Sequence, residues 1–247
     1  MPFQPVDSRR LYEQVADQIG ALIRAGEFAP GQRLPAERDL AKSLRVSRPV
    51  VREAMIALEI GGLIEVRTGA GAFVRDQPLT PAAPINTGHS PSDILSARML
   101  IEGEAAALAA TRATPLDLAA MAAQQDEMIA EHAAGREWRG ADLGFHSAIA
   151  RASGNAALTA VVERLWQEQH APVFSLLSER VRLRDNWTAT VRGHADILAA
   201  IRAGKRKGAR DAMRAHLTQV LSVMTGEADD GQGAARSKVM SRRRRTR

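Results

Sequence analysis

The chain has 247 residues, 45% of them apolar, 25% charged and only 4% aromatic. Such material suits two modest cores, or one large one, built on aliphatic side chains. There is no cysteine, which excludes disulfides and thiolate metal sites and fits a reducing cytoplasm. The net charge of +6 arises in residues 231–247, where Arg236, Lys238, Arg242, Arg243, Arg244, Arg245 and Arg247 stand without an acid; the remainder is slightly acidic. The high overall basicity is therefore a property of the tail and says little about a nucleic-acid partner.

Met1-Pro2-Phe3-Gln4-Pro5 lacks the basic-then-apolar order of a secretion signal. No apolar run approaches the roughly 18 residues that span a bilayer, so a cytoplasmic protein is expected. Leu11, Val15, Ile19, Leu22 and Ile23 recur at helical spacing and predict an amphipathic helix over 10–25, ended by Gly26. A second helix is expected from near Pro35 to about Leu44. A third opens on Ser47 as N-cap, carries Pro49 in its first turn, and stops at Gly61-Gly62. Residues 63–67 and 72–75 alternate as strands around the glycine turn Thr68-Gly69-Ala70-Gly71. Three helices and a β-hairpin make a winged helix-turn-helix, expected to occupy residues 1–75.

Residues 76–91, with Pro78, Pro81, Pro84 and Pro91, read as a linker. Only helical patterns follow, over 92–112, 115–134, 137–153, 155–183, 187–203 and 206–226. The expected fold is mainly α, with an all-α six-helix antiparallel bundle over 92–226 behind the winged domain. Residues 227–247 lack apolar periodicity and are expected to be disordered.

Arg48 and Arg52 are four apart and share a face of the third helix. From Arg45 to Arg52 there are three arginines and no carboxylate. A helix-turn-helix lays such a face in the major groove, where a guanidinium pairs with guanine O6 and N7. In the second half Asp142 and His146 are also four apart, and His194 and His216 lie on two later helices. Three imidazoles and a carboxylate suit Zn²⁺, Ni²⁺ or Mn²⁺. On spacing alone the same histidines could simply be buried and hydrogen-bonded. His89, His132 and His170 read as structural or surface residues, and Trp166 and Trp187 as core rather than cavity lining. Arg98 could clamp an effector carboxylate with two parallel bonds, or pair with Glu102 one turn on.

The pattern Leu34-Pro35-x-Glu37-Arg38-x-Leu40-Ala41, then Val46-Ser47-Arg48-x-x-Val51-Arg52-Glu53-Ala54, resembles the winged-helix domain of the GntR family of bacterial transcription regulators. Residues 92–224 resemble the FCD ligand-binding domain of its FadR branch. The marks are Arg98-x-x-x-Glu102, Asp142-x-x-x-His146, Ser153-Gly154-Asn155, His194-x-x-Ile197-Leu198-x-Ala200-Ile201 and His216-Leu217. Within the branch, residues 50–60 with Glu65-Val66-Arg67-x-Gly69-Ala70-Gly71 resemble the hexuronate-operon repressors. The resemblance implies operator contacts from Arg38, Ser47, Arg48, Pro49 and Arg52, with Gly69 letting the wing approach a groove. Pro49 stands where many relatives carry Thr, which removes a hydroxyl contact. It also implies a divalent metal, zinc foremost, on Asp142, His146, His194 and His216, and an effector pocket bordered by Arg98 and Asn155.

The function expected is a homodimeric regulator, a repressor by the commoner mode of the family. It would bind palindromic operator DNA and respond to a small carboxylate such as a sugar acid or uronate. The rival is a metal-dependent enzyme acting on a small acid through the Asp/His site. That reading leaves the winged helix unexplained, and the protein is expected not to be an enzyme.

Overall fold

The computed structural model describes residues 10–67, 69–76, 88–181 and 186–226. The predicted tail and most of the predicted linker lie outside the described residues. The chain divides into two compact units, Met1–Pro91 with Ala171–Leu177, and Ser92–His170 with Ser178–Arg247.

In the first unit α1 (Leu11–Arg24) buries the stripe Tyr12, Val15, Ala16, Ile19 and Ile23. It packs on α3 (Arg48–Ile60), whose Val51, Ala54, Met55, Ile56 and Leu58 face inward. The short α2 (Glu37–Leu44) also packs on α3. It starts two residues later than its sequence suggests, with Ala36 as N-cap. The backbone gives the reason: Leu34 N–H donates to Ala72 O at 2.8 Å, which holds the chain extended up to Pro35. Arg45 caps the far end of α2 with φ +56°, and its N–H bonds Ala41 O. This left-handed residue makes the tight turn into α3, at a conformational cost of about 1–2 kcal/mol for a side chain other than glycine.

The wing is β1 (Ile64–Arg67) paired antiparallel with β2 (Gly71–Val74), in register Ile64↔Val74 through Arg67↔Gly71. Residues 31–34 cover the other edge of β2 through Gly31 N–H to Val74 O and Val74 N–H to Gln32 O, both 2.9 Å. That pairing spares the hairpin an open edge.

The rest of the described chain is helical: α4 (Pro91–Arg112), α5 (Pro115–Ala133), α6 (Arg139–Ala152), α7 (Ala156–Gln167), α8 (Pro172–Arg180), α9 (Trp187–Arg202) and α10 (Arg206–Thr225). Helix α8 straddles the division between the units. The single helix expected over 155–183 is two, joined by a 3-10 turn at residues 168–170. Pro172 accounts for the break. It lacks the N–H that a continuing helix would use, its ring would strike the carbonyl one turn back, and it suits the start of a new helix. The second half thus holds seven described helices rather than six. Helices α5 with α6 and α9 with α10 pack as hairpins across short connections. Their cores include Met121, Phe145, Ile149, Ile197, Met213 and Leu217, all buried. Among the described residues no helix is long and apolar enough to cross a membrane.

Candidate functional site

Two constellations stand out, one in each unit. In the first unit, α3 presents its N-terminal turn outward. Ser47 is the N-cap, but its hydroxyl makes no cap bond, contrary to the expected side-chain cap; extended backbone at φ −71°, ψ 154° and Pro49 just after it shape the helix start instead. Ser47 and Arg48 are exposed and Pro49 is half-buried. Arg38 is also exposed, 3.5 Å from Asp39. Arg52 is different. Its Nε and Nη2 both reach Glu37 on α2, at 3.2 and 2.9 Å, which ties the two helices of the motif together. Gly69 sits at the wing turn with φ +75°, and a Cβ there would meet nothing. Its requirement is conformational, not spatial.

In the second unit, α6, α9 and α10 bring His146, His194 and His216 together, all buried, with ring nitrogens within 4.8 Å of one another. Asp142, one turn before His146 on α6, joins them: its Oδ1 lies 3.2 Å from His194 Nε2 and 3.6 Å from His146 Nε2. Neither approach has hydrogen-bond geometry. Asp142 Oδ1, His146 Nε2, both ring nitrogens of His194 and His216 Nδ1 are buried without a hydrogen-bond partner. Buried polar atoms left so are costly, about 1–3 kcal/mol each. Taken one per residue, four such atoms in one place call for a shared partner. Burial pushes His194 and His216 down, toward the neutral imidazole that ligates a cation. A tetrahedral zinc with ligands about 2.0–2.1 Å away needs ligand atoms about 3.4 Å apart. The histidine nitrogens, within 4.8 Å of one another, would have to draw closer to reach that spacing. The donor set, three nitrogens and one carboxylate oxygen, fits a divalent transition ion.

Behind His146 stands a second layer. His146 Nδ1 and Glu102 Oε2 are 2.5 Å apart, and Arg98 Nε meets Glu102 Oε1 at 2.5 Å, both pairs deeply buried. Burial opposes the charge on Glu102, but Arg98 first and His146 second outweigh it and hold the carboxyl down, to about 2. The Arg98 guanidinium lies over the Trp166 ring, 4.1 Å from its centroid. Phe145 stacks on His194 at 4.3 Å.

The structure thus brings His146, His194 and His216 together and sets Asp142 beside two of them, His146 and His194. Arg98 stands next to that cluster, paired with Glu102. Asn155 is elsewhere: exposed at the start of α7, with its Oδ1 accepting from Ala157 and Leu158 N–H. Glu102 and Gly193 go beyond the expected site residues. The Arg98/Glu102 spacing signalled the first. No signal in the sequence pointed to Gly193, where a Cβ would lie 2.6 Å from His216 Nδ1.

A helix-turn-helix with its wing, followed by a helical unit enclosing an unsatisfied imidazole cluster, defines a DNA-binding regulator with a built-in sensor. Comparison with known proteins agrees. Residues 11–74 match the family described as bacterial regulatory proteins, gntR family, and residues 93–219 match the FCD domain. An Exu regulon transcriptional regulator of Escherichia coli (strain K12) is 38% identical over 233 residues, 91% of this chain and 88% of that protein. A Uxu operon transcriptional regulator of the same strain is 37% identical over 225 residues, 86% of each. The solved Streptococcus agalactiae GntR is 26% identical with a TM-score of 0.45, covering 85% of this chain and 98% of that one. The chain belongs to the GntR family, in the branch that carries an FCD domain. It is a metabolite-responsive regulator of transcription.

Proposed function

We propose that the protein is a homodimeric repressor that binds a palindromic operator and is released by a small sugar acid of the hexuronate class. Arg48, Arg38 and Ser47 on the exposed face of the helix-turn-helix supply the operator contacts, with Arg52 beside them. Asp142, His146, His194 and His216 hold a divalent ion, zinc foremost. Bound there, the ion would offer a Lewis-acid position to an effector carboxylate, with the Arg98 guanidinium adding positive charge nearby. The observation that carries this reading is the gathering of three buried imidazoles, with Asp142 beside two of them, each bearing a partnerless buried polar atom, in a chain that also carries a DNA-binding domain. The hexuronate class is supported by the likeness to regulators of the Exu regulon and the Uxu operon.

The test is a thermal-shift screen of small carboxylates on zinc-loaded and EDTA-treated protein. Galacturonate, glucuronate and their keto-acid derivatives come first. A ligand at about 100 times its dissociation constant contributes about 2.7 kcal/mol. For a chain of this length that is a rise in Tm of roughly 5–10 °C, expected for an acid only while metal is present. A screen in which no acid shifts the metal-loaded protein, or in which EDTA changes nothing, contradicts the reading. Turnover of any acid during the screen would favour the enzyme instead.

A further inference from the structure

We propose that Glu102, held in place by Arg98, is the positioning residue of the metal centre, fixing the ring of His146 so that its Nε2 faces the ion, and that Arg98 serves this clamp rather than gripping the effector. This rests on the metal reading above and deepens it.

The argument starts from the two nitrogens of His146. Nδ1 sits 2.5 Å from a Glu102 oxygen, and Nε2 is buried with no partner on the side of Asp142 and His194. An ionised carboxylate only accepts hydrogen bonds, so Nδ1 must carry the proton. That leaves a lone pair on Nε2, the atom that joins the cluster. A carboxylate behind a ligating imidazole fixes both its tautomer and its orientation.

Arg98 completes the arrangement. Its Nε and Nη2 both go to Glu102, at 2.5 and 3.3 Å. Its Nη2 also stands 3.5 Å from His146 Nδ1. With Nδ1 protonated that approach joins two donors, so it is a contact and not a bond. Trp166 covers the face of the guanidinium. The two-toothed edge that would grip an effector carboxylate is therefore already filled by Glu102. Arg98, Glu102 and His146 are each at most 3% exposed, so none is an incidental surface pair. All three lie on α4 and α6, whereas His194 and His216 come from α9 and α10.

The experiment measures zinc affinity of the full chain by competition with a chromophoric chelator, and the visible spectrum of the Co²⁺-loaded protein. It uses wild type, Glu102→Gln, Arg98→Gln, the double variant Arg98→Leu/Glu102→Leu, and His194→Ala as control. The double variant removes both charges together, so a lone buried charge cannot unfold it. Circular dichroism of the metal-free proteins checks the fold. Losing such an outer partner lowers metal affinity by about 10- to 100-fold. That loss is expected for Glu102→Gln, Arg98→Gln and the double variant, with a changed Co²⁺ spectrum. Wild-type affinity and spectrum in Glu102→Gln and the double variant, with His194→Ala impaired, would overturn the proposal and leave the metal centre standing. So would an Arg98→Gln protein that binds zinc normally and loses only its response to galacturonate. Failure of wild type to bind zinc, or normal binding by His194→Ala, would instead overturn the metal centre and this inference with it.

Discussion

Arg48 stands in the first turn of α3, exposed, at the end of a helix where the dipole favours a phosphate or a base edge. Replacing it with alanine should lower operator affinity by about 1–3 kcal/mol, roughly 5- to 150-fold. The unfolding midpoint should stay put, because an exposed side chain of this kind contributes within about 0.5 kcal/mol. Gel-shift titration alongside thermal melts checks both halves, and unchanged affinity would refute the contact. Arg52 shows what helical spacing conceals. Its place four residues after Arg48 sets it on the same helix, but Glu37, fifteen residues upstream, claims its guanidinium. That pairing depends on how α2 meets α3, and nothing local to either helix announces it. Arg98 is the converse: its partner is one turn away, and both readings of it were visible in the spacing.

The helices themselves were largely readable, because apolar periodicity and glycine stops are local properties. The two departures have non-local or overlooked causes: backbone pairing of Leu34 with the wing delays α2, and Pro172 divides the helix predicted over 155–183. The cluster of His146, His194 and His216 is another matter. Spacing could put Asp142 and His146 on one face, but only the packing of α6, α9 and α10 brings the rest to them. On spacing alone those histidines read equally as metal ligands or as buried, hydrogen-bonded residues, and the family resemblance tips the balance. Gly193 shows how tight that packing is. A methyl group there would lie 2.6 Å from His216 Nδ1 and 3.2 Å from His216 Cβ. Gly193→Ala should therefore push His216 out of line and weaken zinc binding by about tenfold or more, as seen when a ligand loses its support. Chelator competition reads this directly, and an unaltered zinc affinity would show that α9 and α10 can separate without harm to the centre.

The charge of the whole chain is uneven, since the basic excess lies after residue 231. Such a segment attracts DNA through counterion release, without regard to sequence. Deleting residues 236–247 should flatten the dependence of operator affinity on salt and leave the preferred sequence unchanged. Binding measured between about 50 and 200 mM salt tests this, and a slope equal to the full chain's would make the tail inert. Regulation requires more than a bound acid. The acid must favour the form that fits DNA poorly, since a ligand with equal affinity for both forms shifts nothing. Couplings of this kind are typically about 1–3 kcal/mol, or 5- to 150-fold in affinity. The most direct measurement is selection of duplexes from a random library by the full-length, zinc-loaded protein, with and without galacturonate and glucuronate. A palindromic consensus should emerge without acid, and affinity for it should fall by about 5- to 150-fold when an effective acid is added, but not after EDTA treatment. Selection of no consensus, or a consensus bound equally with and without every acid, would contradict the account.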